Sequence, residues 1–284
     1  MFSIIIPTYN NLEYLKICIN SIIKNSNSNH EIIVHINEGK DGTEQYLIQK
    51  KIKFTFTKRN VGLCEGVNLA SKKSTRNYIM YSHDDFYFCP NWDKPFFNEI
   101  KKIKNNKFYL SGTMFDYLGK TKFFCGNNYK NFNEKKLLSN LKKIKFSDYQ
   151  GSTWAPHLVH KKIWNKVGGF SEEFFPGAGS DPDFAMKLWN QNIRIFKSLG
   201  KSLIYHFGSK TLRKKRFFSS INNLGSQSSK KFICKWGLSI NFFRKHYLKS
   251  GSLYVGKLDE PKKNILYWLD FLKSKFKFYY YKIL

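Results

Sequence analysis

Apolar residues crowd positions 2–6, "FSIII", and the run breaks at Pro7; beyond it, Leu12, Leu15, Ile19, Ile22 and Ile23 recur three or four residues apart. The first pattern predicts a short buried strand ending at Pro7, and the second predicts a helix over "NLEYLKICINSIIKN". "HEIIVHI" reads as another buried strand, followed by the turn-rich "NEGKDGT" and a short helix over "GTEQYLIQK". "KIKFTFTK" alternates as a strand does, "RNVGLCEGVNLASKK" is a loop opening into a helix, and "YIMYS" is the next strand.

Strand and helix thus alternate four times within the first 85 residues, which predicts βαβ units and a mainly parallel sheet flanked by helices. In such sheets ligands sit beyond the carboxyl ends of the strands. "PTYN", "NEGKDG", "RNVG" and "SHDD" each follow a strand and are expected along one edge. That placement bears on an oddity of charge: Asp84 and Asp85 are adjacent, directly after Tyr78-Ile79-Met80-Tyr81. Neighbouring carboxylates repel and are poor strand formers, so a composite site explains them better than a solvated face does. Residues 100–150 are Lys- and Asn-rich with weaker periodicity, "FYLSGTMFD" being their clearest strand; order resumes at "WAPHLVHKKIWNKVGGF". Beyond Lys210 the chain turns basic, then aromatic and helical in pattern, which places a soft boundary near residue 215. The expected organisation is a domain over residues 1–215 and a helical extension over 216–284.

Composition narrows the function classes. The chain has 284 residues, 42% of them hydrophobic, which suffices for a packed core. Its 49 basic against 20 acidic residues give a net charge of +29, a balance that suits polyanions, anionic membranes or phosphorylated substrates. Lysine dominates and arginine is scarce, whereas base readout favours arginine, and no nucleic-acid recognition module appears. A basic nucleic-acid-binding protein is therefore the weaker alternative, and nucleic acid is not expected as a partner. Five scattered cysteines without a C-x-x-C pair predict free thiols in a reducing compartment. "MFSIIIPTYNN" lacks the basic region and apolar length of a signal peptide, and no stretch reaches the roughly 18 apolar residues of a membrane span. The expected location is the cytoplasm, at the inner face of a membrane if the tail docks there.

The ordered series "IIIPTYN…NEGKDGT…RNVGLCEGVN…SHDD…VGGFSEEFF…SDPDF…YHFGS" resembles the family 2 glycosyltransferases, inverting enzymes of the GT-A fold, over roughly residues 2–210. The resemblance implies a Rossmann-like mixed α/β sheet and transfer of a sugar from a nucleotide-diphosphate sugar to a hydroxyl acceptor, a glycan or lipid-linked saccharide of the cell envelope. It implies that Pro7, Thr8 and Tyr9 form part of the nucleotide pocket and that Glu38 takes the place of a base-binding carboxylate. Asn37-Glu38 departs from the usual Asp-Asp, although a UDP-sugar remains the favoured donor. Asn60, Gly62 and Asn68 are implied to shape the nucleotide-sugar cleft. "SHDD" resembles the family's Asp-x-Asp element, with Asp85 as ligand to Mn²⁺ or Mg²⁺ and Asp84 facing ribose or sugar; His83, in the first acidic position, reads as a spacer in preference to a secondary ligand. In "FPGAGSDPDFAMKLW", Ser180 replaces the usual Glu and Asp181 aligns with the catalytic base, while Asp183 reads as a helix-capping acid. His206 reads equally as a second metal ligand and as a structural histidine.

Trp154 and His157 in "GSTWAPHLVH" are candidate acceptor-pocket residues, with core packing as the other reading. "RKKR" and the final "KKNILYWLDFLKSKFKFYYYKIL" combine lysines with aromatics, a composition suited to peripheral membrane contact, although residues 225–250 read better as packed on the domain. The departures at Asn37, His83 and Ser180 keep a non-catalytic sugar-nucleotide-binding homologue as an alternative. A nucleotidyltransferase would need a Gly-rich basic loop after the first strand, which "PTYNNLEY" is not.

Overall fold

A computed structural model describes residues 1–116, 125–143, 145–208 and 227–283. The amino-terminal half alternates as the hydrophobic pattern predicts. It runs β1 (Ser3–Tyr9), α1 (Leu12–Asn25), β2 (Glu31–Asn37), α2 (Thr43–Gln49), β3 (Lys53–Thr57), α3 (Gly62–Ser71) and β4 (Tyr78–Tyr81). In α1 the buried face is Tyr14, Leu15, Cys18, Ile19 and Ile22, whereas Ile23 falls off that face and is exposed. The helix period decides this, because position 23 lies about 100° round from position 22. Strand β1 does not stop at Pro7: it continues to Tyr9, with Pro7 opposite His35 of β2. Strand β4 pairs with β1 only over Ser3–Ile5, so the proline lies beyond the stretch paired on both sides, where its missing N–H breaks no ladder.

The chain continues through β5 (Phe86–Phe88), α4 (Lys94–Ile103), β6 (Tyr109–Asp116), α5 (Glu134–Leu141), β7 (Tyr149–Gln150), β8 (His157–His160), α6 (Lys161–Val167), α7 (Ser180–Asn190) and β9 (Phe196–His206). The sheet order is β3-β2-β1-β4-β8-β6-β9-β5, with β7 attached to β9. All pairings among β1 to β4 are parallel, as is β6 with β9; β8 runs antiparallel to both β4 and β6, and β5 antiparallel to β9. The sheet is therefore mixed. One aromatic-rich core joins its two halves, with Phe2, Tyr81, Trp92, Phe108, Phe170 and Phe184 among its fully buried side chains.

Helical segments follow at 227–236, at Ile240–Tyr247 and at Ile265–Ile283. Phe232, Phe243, Leu248 and Leu258 belong to the main core, so the packed reading of residues 225–250 holds for those that are described. Asp183 is a principal anchor: it is fully buried and accepts hydrogen bonds from Ser171 Oγ (2.6 Å) and Trp236 Nε1 (2.8 Å), with Lys235 Nζ at 2.9 Å. Its carboxylate ties α7 to the 227–236 helix. That is a structural role in the first turn of α7, carried by tertiary partners rather than by capping: the N-cap position belongs to Gly179, and among the described residues no side chain caps this helix end. The basic run Arg213–Arg216 and the expected boundary near 215 lie outside the described residues.

Candidate active site

The carboxyl ends of β1, β2, β3 and β4 open onto one cavity of about 400 Å³. Pro7, Thr8 and Tyr9 enter it from β1, Asn37 from the end of β2, Asn60 and Gly62 from the loop after β3, and His83, Asp84 and Asp85 from the loop after β4. Across from them, Trp154, the Pro176–Gly179 loop and Asp181 close the far wall. Two acids nearly a hundred positions apart in sequence, Asp85 and Asp181, thus face a single space.

Each wall is held by its own backbone chemistry. Gly62 opens α3 at φ +82, and a Cβ there would lie 2.7 Å from Phe175 Cδ2. Only glycine takes that conformation without strain. The Asn60 side chain accepts from Gly62 N (2.9 Å), the Asn37 side chain accepts from Val61 N (2.9 Å), and Leu63 N donates to Pro176 O (2.9 Å). These bonds stitch the β3–α3 loop to β2 and to the Pro176 loop. Gly62→Ala is expected to cost about 1–3 kcal/mol, even though the Phe175 ring is half-exposed and can yield; a urea denaturation midpoint reads the loss.

The acid pair divides its work. Asp84 is buried and accepts a hydrogen bond from Thr8 Oγ1 at 2.7 Å. Asp85 lies beside two imidazoles: His206 Nε2 is 3.3 Å and His83 Nδ1 is 4.0 Å from its Oδ1. Register explains how His206 arrives, because β5 and β9 pair with Phe86 opposite His206, and Phe207 N donates to Asp85 O. One ligand atom from each of His83, Asp85 and His206 lies within 4.8 Å of the others, a spacing and donor set that fit a divalent cation. His83, read from sequence as a spacer, is therefore part of this cluster. It stacks on Phe86 at 4.7 Å, and burial pulls its pKa down to about 4, with Asp85 opposing and His206 adding to the shift. A neutral imidazole is the form that coordinates.

Asp181 is different in kind. Its Oδ1 is buried with no hydrogen-bond partner, and burial pushes its carboxyl up to about 7. Ser180, beside it, is buried and donates to Gly177 O at 2.7 Å, which braces the loop that presents Asp181.

Four residues expected at the site do not line the cavity: His206, which meets it through Asp85, and Asn68, Glu38 and His157. Asn68 lies about 9 Å along the α3 axis from Gly62 and clamps a backbone instead: its Nδ2 donates to Phe170 O and its Oδ1 accepts from Phe170 N, each at 2.9 Å. Glu38 takes a left-handed conformation at φ +65, and its carboxylate pairs with Lys40 at 3.1 Å. His157 is fully buried in β8, stacked on Phe184 and close to Tyr81 and Tyr109; every residue of this strand is buried, so both of its faces meet the core. Trp154 is half-exposed at the rim, with the Arg244 guanidinium 5.7 Å from its ring centre. Tyr81, Leu63 and the Pro176–Gly179 loop line the cavity although the motifs did not single them out. The small residues of "PGAG" directly before Ser180-Asp181 were the available signal for that loop.

Residues 3–162 match the family model described as Glycosyl transferase family 2. The chain is 30% identical over 177 residues to an uncharacterized glycosyltransferase of Rickettsia typhi, covering 61% of this chain and 54% of that protein. It is also 34% identical over 119 residues to one of Rickettsia bellii, covering 40% of this chain and 16% of that protein. The chain thus spans about half the length, or less, of these relatives. Among solved structures, Staphylococcus aureus TarS 1–349 superposes with a TM-score of 0.55 at 17% identity, covering 83% of this chain and 73% of that one. GalNAc-T7, with UDP, GalNAc and Mn²⁺, gives a TM-score of 0.55 at 15% identity, covering 72% and 43% respectively. With more than half of its length inside the family model and the GT-A fold around its site, the chain belongs to glycosyl transferase family 2.

Proposed function

We propose that this chain is an inverting glycosyltransferase that moves a sugar from a nucleoside-diphosphate sugar, a UDP-sugar first, to a hydroxyl of a glycan or lipid-linked saccharide of the cell envelope. The observation that carries the reading is the convergence of Asp85 and Asp181 on one cavity. Inverting transfer needs a carboxylate opposite the leaving group, positioned to take the acceptor hydroxyl's proton as its oxygen attacks the anomeric carbon. Asp181, with its proton affinity raised toward neutrality by burial, suits that task. Thr8, Tyr9, Asn37 and Asn60 supply polar contacts for the nucleotide, Asp84 and Thr8 form a linked pair facing the donor, and Trp154 offers a ring face for the acceptor. The solved relatives support the donor class: TarS has been captured with UDP-GlcNAc and GalNAc-T7 with UDP and Mn²⁺.

His83, Asp85 and His206 would hold the divalent cation. When bound, such a cation neutralises charge on the departing diphosphate. We treat residues 1–215 as the glycosyltransferase domain and 216–284 as an extension that shares its core. The free cysteines agree with a reducing compartment, and we place the protein in the cytoplasm at the inner face of a membrane. Among the described residues no helix is long and apolar enough to cross one.

A thermal-shift panel of UDP-, GDP-, TDP- and CMP-sugars with and without Mn²⁺ tests the donor assignment. A UDP-sugar that stabilises the protein only with Mn²⁺ is the expected result. No shift with any donor overturns the reading. A shift that persists while no sugar reaches any acceptor or water favours a non-catalytic binding protein.

A further inference from the structure

The carboxyl-terminal helix, Ile265–Ile283, is docked by one side only. Tyr267 and Phe271 pack on Phe242, Ser274 Oγ accepts from Ser239 N at 2.6 Å, and Tyr267 and Ser274 are its buried residues. On the opposite side Ile265, Leu269, Leu272, Phe276, Tyr279 and Ile283 follow one another at intervals of four, three, four, three and four residues. At 100° per residue these positions form one continuous stripe. All are exposed, Leu272 at 62%, Phe276 at 77% and Ile283 at 86%. Leaving six large apolar side chains in water along about 28 Å of helix is a cost that a partner surface removes.

Charge selects the partner. Lys273 and Lys277 border the stripe on one side, and Lys275 and Lys282 on the other. The helix has one acid, Asp270, which is held on the docked side by Lys245 (2.7 Å) and His246 (2.9 Å). A cavity of about 280 Å³ beside the helix adds Lys245 to Lys273 and Lys277, with Ser229, Asn241 and Asp270 also in its lining. A second copy laid along the stripe would bring lysines on both flanks and no acid to answer them. An anionic surface answers all of them at once. Trp268 and Tyr280 are exposed beside the stripe, and such rings favour the headgroup level of a bilayer.

We propose that the Ile265–Ile283 helix lies in the plane of an anionic lipid bilayer, with its apolar stripe immersed and its flanking lysines among the headgroups. The inference rests on this helix alone and not on the sugar or metal assignment. It differs from the usual interfacial helix in that the face turned away from lipid packs against protein instead of water, so docking would hold the whole domain at the surface.

Flotation of the full chain with phosphatidylcholine vesicles, with and without phosphatidylglycerol, tests this. The parent is expected to float with the phosphatidylglycerol vesicles, much less with phosphatidylcholine alone, and less as salt rises. The double variant Leu272→Glu, Phe276→Glu changes only exposed positions and is expected to lose roughly tenfold or more of the vesicle binding at an unchanged melting temperature. Lys273→Glu with Lys277→Glu is expected to remove the preference for phosphatidylglycerol. Equal flotation of parent and the apolar-stripe variant overturns the proposal. So does a parent that floats with neither vesicle, including one whose stripe instead seals a dimer seen by light scattering and lost in the variant.

Discussion

Asp181→Asn is expected to abolish sugar transfer and, at the same time, to make the protein more stable at alkaline pH. Removing a general base costs about 10²–10⁴ in rate, and asparagine preserves the shape while removing the charge. The stability effect follows from the same burial. The folded-state pKa is raised from 3.8 to about 7, so the folded protein holds this proton more tightly than the unfolded chain does. The site's contribution is therefore most favourable below about pH 4, and is progressively lost as pH rises through about 7. Once ionised, the partly exposed carboxylate costs roughly 2–4 kcal/mol, a cost that asparagine does not incur. Denaturant melts of parent and variant are expected to diverge at pH 8 and to converge near pH 4. In the parent, kcat/KM is expected to rise with pH and to level off above about 7, since a general base must be deprotonated to accept the acceptor's proton. An Asp181→Asn variant that keeps transfer within about threefold of the parent removes this residue from catalysis. One that is inactive but no more stable at pH 8 shows that burial is not what tunes it.

The half of the fold that alternates locally was readable from periodicity, because each strand and the helix after it are neighbours in sequence. The other half depends on pairings that no local pattern encodes. Strand β8 inserts between β4 and β6, and β9 runs back to meet β5, with the Phe86–His206 register bridging residues 120 apart. The site shows the same division. Strand order alone places Thr8, Asn60, Asp84 and Asp85 on one edge, since each lies at or just beyond the carboxyl end of a strand of the parallel group. It does not say which way each side chain turns. Asn68 sits in the motif yet spends its amide on the Phe170 backbone, and Glu38 is turned to Lys40 by a left-handed backbone. His157 occupies a buried position of a four-residue strand, where its neighbours are rings. His83 is the converse case: its residue type departs from the acidic pattern, and only the arrival of His206 from β9 completes a donor set that fits a cation.

The acid pair also makes sense against the chain's charge. In a protein of net charge +29, Asp84, Asp85 and Asp181 are gathered at one cavity while Lys273, Lys275, Lys277 and Lys282 collect on the terminal helix. The excess of lysine therefore need not imply nucleic acid. In the scheme proposed above, one region carries carboxylates for a cation and a proton, and another carries cations for an anionic surface.

Exchange of His83 for aspartate is expected to change which cation the site prefers. Two imidazoles and one carboxylate form a donor set that suits Mn²⁺ better than Mg²⁺, which favours oxygen ligands and gives up water reluctantly. The parent is expected to bind Mn²⁺ at least roughly tenfold more tightly than Mg²⁺ in the presence of UDP, read by calorimetry and by the loss of the free Mn²⁺ paramagnetic resonance signal. In His83→Asp the site gains an oxygen ligand and loses a nitrogen, so this ratio should narrow. Asp85→Ala removes the carboxylate of the His83–Asp85–His206 cluster and is expected to abolish binding of either cation and to lower transfer by about a thousandfold, the equivalent of several kcal/mol. Asp84→Asn separates the two acids, because Asp84 is bonded to Thr8 and lies outside the cluster; it should weaken donor binding while Mn²⁺ affinity without donor stays near the parent value. Equal affinities for Mn²⁺ and Mg²⁺ in the parent would deny His83 and His206 their place as ligands. Loss of Mn²⁺ in Asp84→Asn but not in Asp85→Ala would exchange the roles of the two aspartates.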